Sequence, residues 1–355
     1  MSELTNTNGR RTDLRLRLLV TASAITLLGF TPAGAADNDS GRSPLWIELG
    51  GQFATEENQQ DAYLPPFLLA TPRPPVATLS PGGFQKPPPS SWDGTAKITY
   101  EPSGTDWTFS VGVLYGRSSR SKSVYRQTTN PDHGSPGGFD AYQNLQARNS
   151  ESHTIVDFRA GKDVGLGMFG SGGSSVVSVG VRYAQFNASS TTGIQSQPTN
   201  VGYGSGAYHI FDGSFSAERK FSGVGPSLSW DASANLIDNP SAGSISIDWA
   251  VTGAMLFGRQ QLLAHHKTTD AYKHRTNYTS VFRTATQTGA PSRRKNVTVP
   301  NLGGFMGVSW RYPNGTVTLG YRADFFFGAM DGGIDAAKRE NVGFYGPFAS
   351  IAVGL

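Results

Sequence analysis

The residues that could do chemistry are few in this sequence, and their spacing argues against an active site. There is no cysteine, which excludes a thiol nucleophile, a zinc–thiolate centre and a disulfide framework. His153 and Asp157 share one face of a predicted strand but lie ~13 Å apart, too far for acid–base catalysis. His265 and His266 point to opposite sides if extended, and no third ligand is evident. We predict no enzyme, no catalytic residue, no metal site and no cofactor.

Charged residues instead recur at alternate positions of strand-like segments whose apolar residues face the other way. Because successive side chains of a strand point to opposite faces, these residues are predicted to line one interior. Four cations and six anions there would set the ion preference of a wet channel, or would pair off in a closed lumen. The predicted lumen-lining residues are Glu48, Lys97, Glu101, Asp157, Arg159, Arg182, Asp231, Asp248, Arg322 and Asp324.

The elements that carry these residues are predicted strands joined by alternating long and short connections. The clearest strand covers residues 317–327, where apolar side chains occupy every second position. Ten such segments are predicted, and twelve would result if residues 278–285 hid a further pair. Short turns are predicted at residues 102–106, 165–173, 239–241 and 313–315. One long loop is predicted over about 38 residues after the first strand, with nine prolines at residues 65–89, and further long loops are predicted at residues 118–151, 187–217, 259–297 and 331–341.

An even number of amphipathic strands with this alternation is typical of a transmembrane β-barrel. The mean hydropathy of −0.32 resembles that of a soluble protein, but in a barrel only alternate strand residues face lipid. The predicted fold is therefore all-β, an antiparallel transmembrane barrel of about ten strands with short periplasmic turns and long extracellular loops. The net charge of +4 is spread through loops, so no nucleic-acid partner is predicted.

The N-terminus carries the pattern of an export signal. Four arginines between residues 10 and 17 precede an apolar run over residues 18–30, and Ala33-Gly34-Ala35 follows it. This pattern predicts a cleaved signal peptide over residues 1–35 and a barrel over residues 36–355. Arg10-Arg11 hints at twin-arginine export, but the nearby Asp13 favours general secretion. The predicted location is the bacterial outer membrane.

Four short motifs carry a resemblance to a known family. They are GVRYA at 180–184, GVGP at 223–226, AMLFG at 254–258 and GFYGPF at 343–348. Together and in this order, they resemble the pore-forming outer-membrane proteins related to the Legionella major outer membrane protein. The resemblance implies a porin-like barrel and supplies no catalytic residues.

We predict from this a porin-like channel for passive passage of ions or small solutes. The alternative is a non-conducting barrel that acts as a structural protein or surface adhesin through its long loops. The expected partners are outer-membrane lipid and lipopolysaccharide, the barrel-assembly machinery, and the solutes or ions themselves. The basic residues at 259–295 are candidates for holding lipopolysaccharide phosphates.

Overall fold

The strands of this protein form one continuous antiparallel sheet. The computed structural model describes residues 44–58, 90–130, 139–164, 174–197, 207–239, 243–274, 281–333 and 337–355. Its strands are β1 (Leu45–Asn58), β2 (Ser90–Tyr100), β3 (Trp107–Asn130), β4 (Phe139–Asp163), β5 (Ser174–Gln197), β6 (Ala207–Asn239), β7 (Gly243–His274), β8 (Val281–Gly289), β9 (Ser292–Tyr312), β10 (Gly315–Asp331) and β11 (Arg339–Gly354). The described residues contain no helix long and apolar enough to cross a membrane. The predicted signal peptide lies outside these residues and stays a prediction.

The sheet closes on itself into a barrel. β1 pairs with β11 as well as with β2, and β6 pairs with β7. β7 pairs with β9 along its first part and with β8 along its outer part. β8 and β9 therefore act as one barrel strand, interrupted at Ala290-Pro291. Proline has no N–H for the ladder, and the Pro291 carbonyl there accepts from the Ala264 N–H at 3.0 Å.

The ring thus contains ten strands, which confirms the predicted architecture. The twelve-strand alternative is wrong, because residues 281–289 extend an existing strand and add no further pair. The Pro313-Asn314 turn is also as predicted, since it joins the paired residues Tyr312 and Gly315.

Three polar stretches predicted as long loops are largely strands. β3 continues to Asn130 before β4 begins at Phe139, and the β5–β6 and β6–β7 pairs are similarly extended. These segments still place small or apolar side chains inward at every second position, among them Leu145, Ala147, Phe215, Ala217, Leu262 and Ala264. Strands of up to 33 residues far exceed the 9–11 residues, roughly, that cross a bilayer. The hairpins therefore project beyond the membrane.

An exposed apolar band encircles the outer wall of the barrel. The edge of the band at the short-turn end of the barrel carries Trp107, Trp310 and Tyr312. The rings of Trp310 and Tyr312 lie 5.0 Å apart. The opposite, upper edge, toward the long hairpins, carries Phe53 and Trp92, whose rings also lie 5.0 Å apart. It also carries Tyr115, Phe257 and Phe327. Two aromatic girdles that flank an apolar band are typical of the lipid-facing wall of an outer-membrane barrel.

Candidate functional site

Nine of the ten predicted lumen residues surround one internal cavity of about 250 Å³. They come from seven strands, β1, β2, β4, β5, β6, β7 and β10, because each strand points alternate side chains inward. The nine are Glu48, Lys97, Asp157, Arg159, Arg182, Asp231, Asp248, Arg322 and Asp324. Glu101 is the exception, because it does not line this cavity. β2 ends at Tyr100, and the Glu101 N–H donates to the Pro44 carbonyl at 2.8 Å, at the short-turn rim.

Arg182 on β5 bridges the lumen. Its Nε and Nη2 donate to the two carboxylate oxygens of Asp157 on neighbouring β4, at 2.7 and 2.8 Å. Its Nη1 donates to Asn301 Oδ1 at 2.6 Å and to Asp324 Oδ1 at 3.2 Å. Asp324 lies on β10, four strands away around a ring of ten. The side chain of Arg182 is 1% exposed, so this charge-assisted network is shielded from water.

Further ion pairs neutralise the cavity wall beside Arg182. Arg159 donates to Asp157 at 3.0 Å, and Arg322 donates to Asp324 at 3.1 Å. Asp248 accepts from Arg311 at 2.6 Å and also from Ser309. Each of the three aspartates is thus paired with at least one arginine, as expected for charged groups that are buried in a folded protein.

An apolar layer fills the lumen next to this network. The rings of Phe186 and Phe326 lie 4.7 Å apart in an edge-on arrangement, although they come from β5 and β10. Phe221 and Phe344 lie 5.6 and 5.7 Å from Phe186. None of the four exceeds 4% exposure. Inward residues of a water-filled channel would be exposed to it, whereas these four rings are packed against one another and shielded from water.

The sequence reasoning missed this layer and Asn301. The alternation of residues 317–327 predicts that Phe326 faces the barrel interior, but it assigns the side chain no role. Phe186 has the same strand parity as Arg182, and Phe221 has the same parity as the inward Ser227. Continuing the alternation past Ala184 and back from Val224, up to the edges of the loop predicted at 187–217, would have found both rings. Asn301 gives no comparable signal, because a single amide on a strand does not reveal its partner.

His153 lies in the lumen wall but forms no accessible acid–base pair. Its Nε2 lies 3.2 Å from Asp93 Oδ2, and Ser91 Oγ donates to the other Asp93 oxygen at 2.6 Å. The His153 and Asp93 side chains are 1% and 0% exposed, and the His153 ring lies 3.7 Å from the Phe344 ring. Both side chains are therefore shielded from water. Across the described residues, no group of three His, Asp or Glu side chains could hold a metal ion.

The β10–β11 hairpin bends over the apolar layer, on the side away from the Arg182 network. The register shifts between Phe326 and Met330, and Gly328 adopts φ +67°, which glycine tolerates without strain. Gln260 Nε2 donates to the Gly328 carbonyl at 2.6 Å, and Asn341 Oδ1 accepts from the Gly328 N–H at 2.8 Å. As a result, Met330 is buried in the same cluster as the phenylalanines.

Asp331 fixes the end of this hairpin to β9. Arg293 Nε donates to Asp331 Oδ2 at 2.9 Å, and the Gly333 and Lys338 N–H groups each donate to Oδ1 at 3.1 Å. Burial by itself would raise the pKa of Asp331, but the hydrogen bonds from Arg293 and from the two N–H groups outweigh it and hold the pKa below the ordinary 3.8. We name this group of contacts the Asp331 latch.

Comparison with known proteins gives one family match. The family described as "Legionella pneumophila major outer membrane protein precursor" matches residues 121–354. No curated protein matches the chain.

Three solved structures illustrate the structural likeness. The transport unit of the autotransporter AIDA-I from Escherichia coli is 7% identical, with a TM-score of 0.25, covering 90% of this chain and 93% of its own. The toluene transporter TodX from P. putida is 9% identical, with a TM-score of 0.23, covering 88% and 90%. The translocator domain of NalP from Neisseria meningitidis is 9% identical, with a TM-score of 0.22, covering 89% and 90%.

Proposed function

The chain belongs to the family of the Legionella pneumophila major outer membrane protein, and on that premise we propose that it is an outer-membrane barrel with a closed lumen. In this proposal the barrel is not an enzyme and needs no cofactor. It acts at the cell surface as a structural protein or adhesin, through the hairpins that extend beyond the membrane. The short turns face the periplasm, as in other outer-membrane barrels.

The observation that carries this proposal is the double closure of the lumen. The Arg182 network and the phenylalanine layer lie next to each other and draw their side chains from opposite parts of the ring. Opening a wet path would separate a buried guanidinium from its carboxylates, at a cost of several kcal/mol. It would also expose phenylalanines, each worth ~1.5–3 kcal/mol of burial. Both costs favour the closed state.

A porin-like channel is the second candidate, because of the charged cavity. A polar chamber walled by fixed charges of both signs is typical of ion-selective passages. Passage would require Arg182 to leave Asp324 and the phenylalanine layer to part. This candidate therefore predicts a channel that conducts only after a rearrangement.

Single-channel recording in a planar lipid bilayer separates the two candidates. We expect the refolded wild-type barrel to insert without conducting, and an Arg182→Ala/Phe186→Ala/Phe326→Ala variant, which removes both closures, to give small discrete steps. Heat-modifiable migration on a gel would show that both are folded. Steady wild-type steps whose ion preference changes in an Arg182→Glu variant would overturn the closed-lumen proposal and establish the porin.

A further inference from the structure

Three cations form a compact triangle on the outer wall of the barrel. Lys220, Arg259 and Arg294 lie on the adjacent strands β6, β7 and β9, and all three are exposed. Gln261 lies directly opposite Lys220 on one side and Arg294 on the other. Arg259 is two residues before Gln261 on the same face, and is therefore a diagonal neighbour of both cations. Diagonal Cβ positions in a sheet are ~7–8 Å apart, within joint reach of one phosphate.

The triangle lies immediately above the lipid-facing band. Two residues below Arg259 is Phe257, which is 57% exposed and belongs to the upper aromatic girdle. Phe257 lies opposite Val224 on β6, also an exposed apolar residue. A molecule bound at the triangle would therefore have its polar head at the cations and apolar surface directly beneath it.

The surroundings of the triangle are polar and provide further hydrogen-bonding groups. Ser222 and Asn296 lie opposite Arg259 on its two sides. Glu218 contacts the triangle through Lys220 at 2.6 Å. That pair is about half exposed, so it is screened and of little energetic weight. Among the residues that the structure describes, no carboxylate is shown within ion-pair distance of Arg259 or Arg294.

We propose that Lys220, Arg259 and Arg294 bind a phosphate of the glycolipid of the outer leaflet, with its acyl chains lying along Phe257 and Val224. Guanidinium groups bind phosphate through paired hydrogen bonds, and the lysine adds a point charge. A phosphorylated glycolipid joins uncompensated negative charge to acyl chains at the depth of Phe257, whereas a zwitterionic phospholipid offsets its phosphate with a cationic group of its own. The proposal rests on the orientation in the proposed function, with the long hairpins outside.

Binding of lipid A to the barrel in nanodiscs of zwitterionic phospholipid tests the site. The probe is a fluorescent bisphosphorylated lipid A, and the competitors are unlabelled lipid A, the same lipid without phosphates, and inorganic phosphate. We expect only phosphorylated lipid A to compete well. Removing one cation should weaken binding about fivefold, and removing all three about a hundredfold, from the typical contribution of a basic residue at an anionic membrane surface.

The matched variants are Arg259→Gln, the Lys220→Gln/Arg259→Gln/Arg294→Gln triple variant, and Lys162→Gln as the control. Lys162 is an exposed cation at the opposite, short-turn end, so its loss changes the net charge equally and should leave binding unchanged. Arg259→Lys, which keeps the charge, should retain most of the binding and guards against a folding defect. Equal binding by the triple variant, or equal competition by dephosphorylated lipid A, would overturn the proposal. Conductance is measured separately, so the lipid site and the closed lumen can fail independently.

Discussion

Arg182 is a buried cation held by side chains from two opposite parts of the barrel. Asp157 and Asn301 take up most of its donors, and Asp324 extends the network to β10. A buried ion pair contributes little net stability, but removing one partner leaves an uncompensated charge in a shielded place. The residue is therefore a sensitive probe of whether the lumen is closed at this level.

Replacing Arg182 should destabilise the barrel far more than replacing the arginine beside it. Arg182→Leu removes the hydrogen bonds to Asp157, Asn301 and Asp324 and leaves the two aspartates with the more exposed Arg159 and Arg322 alone. Because hydrogen bonds to charged groups contribute ~1.5–3 kcal/mol each, we expect the free energy of unfolding to fall by about 3–5 kcal/mol. Arg159→Leu is the control, because the Arg159 side chain is 15% exposed and Asp157 remains paired with Arg182 in that variant. Urea unfolding in lipid vesicles measures both. Losses of equal size would contradict the buried network.

Two consecutive phenylalanines give a second matched pair. Phe326 is fully buried in the lumen, whereas Phe327 is 44% exposed on the outer wall. Phe326→Ala should cost about 3–5 kcal/mol, since it leaves a cavity among packed rings. Phe327→Ala should cost clearly less under the same urea unfolding conditions. A larger loss for Phe327 would mean that the inward and outward faces have been exchanged.

At this scale, the sequence predicts which face a side chain occupies but not what it contacts. Alternation placed Arg182, Asp157 and Asp324 inside the barrel. The direct pair of Arg182 with Asp157 follows from neighbouring strands, since the two are opposite in register. The contact with Asp324 depends on the stagger and width of the closed ring, which a pattern of period two does not contain.

The β10–β11 hairpin is the element that covers the filled lumen. Its bend at Gly328 buries Met330, and the Asp331 latch ties its end to β9. A carboxylate whose pKa is lowered on folding stabilises the folded state above its unfolded pKa, and this contribution is lost as the pH falls through its folded pKa. The latch should therefore hold at neutral pH and release in acid.

Hydrogen exchange can follow this release directly. The Gly333 and Lys338 amides, which donate to Asp331, should be protected at pH 7 and lose protection as the pH falls below the ordinary aspartate value of 3.8. An Asp331→Asn variant removes the titrating group, so its protection should be weaker and should not change over that pH range. Wild-type protection that stays constant down to pH 2 would contradict the latch.

Strand number was predictable from the sequence, whereas strand length was not. The apolar alternation that faces lipid is strong in all ten segments, for example at residues 317–327. Outside the membrane the outer face of a strand contacts water and can be polar. Residues 187–197 and 207–217 therefore lack the alternation of apolar and polar residues, and their sequence resembles that of loops. Their serines and threonines still pair as β-strands. The tendency of a residue to adopt a strand depends on its structural context more than on its polarity.

The whole molecule is a ten-stranded barrel that is narrow enough for side chains to fill. Barrels of eight strands have filled interiors, and those of sixteen or more hold wet channels. This barrel stands nearer the first group, with the Arg182 network and four phenylalanines across its lumen. The apolar band and girdles place it in a membrane, and the family match agrees with an outer-membrane location.

Substituted-cysteine labelling measures the closure of the lumen most directly, because the chain has no cysteine of its own. Ala250 lines the charged cavity, below the phenylalanine layer. Lys267→Cys, on the exposed outer wall of a projecting hairpin, is the control for reagent access, and lipid-facing Val251→Cys is the control for background labelling.

A membrane-impermeant thiol reagent is added to intact cells and, separately, to cells whose outer membrane has been permeabilised. The closed-lumen account predicts that Lys267→Cys is labelled in intact cells, whereas Ala250→Cys is labelled only after permeabilisation. Labelling of Ala250→Cys in intact cells at the rate of Lys267→Cys would contradict the account, because the reagent would then have passed through the lumen.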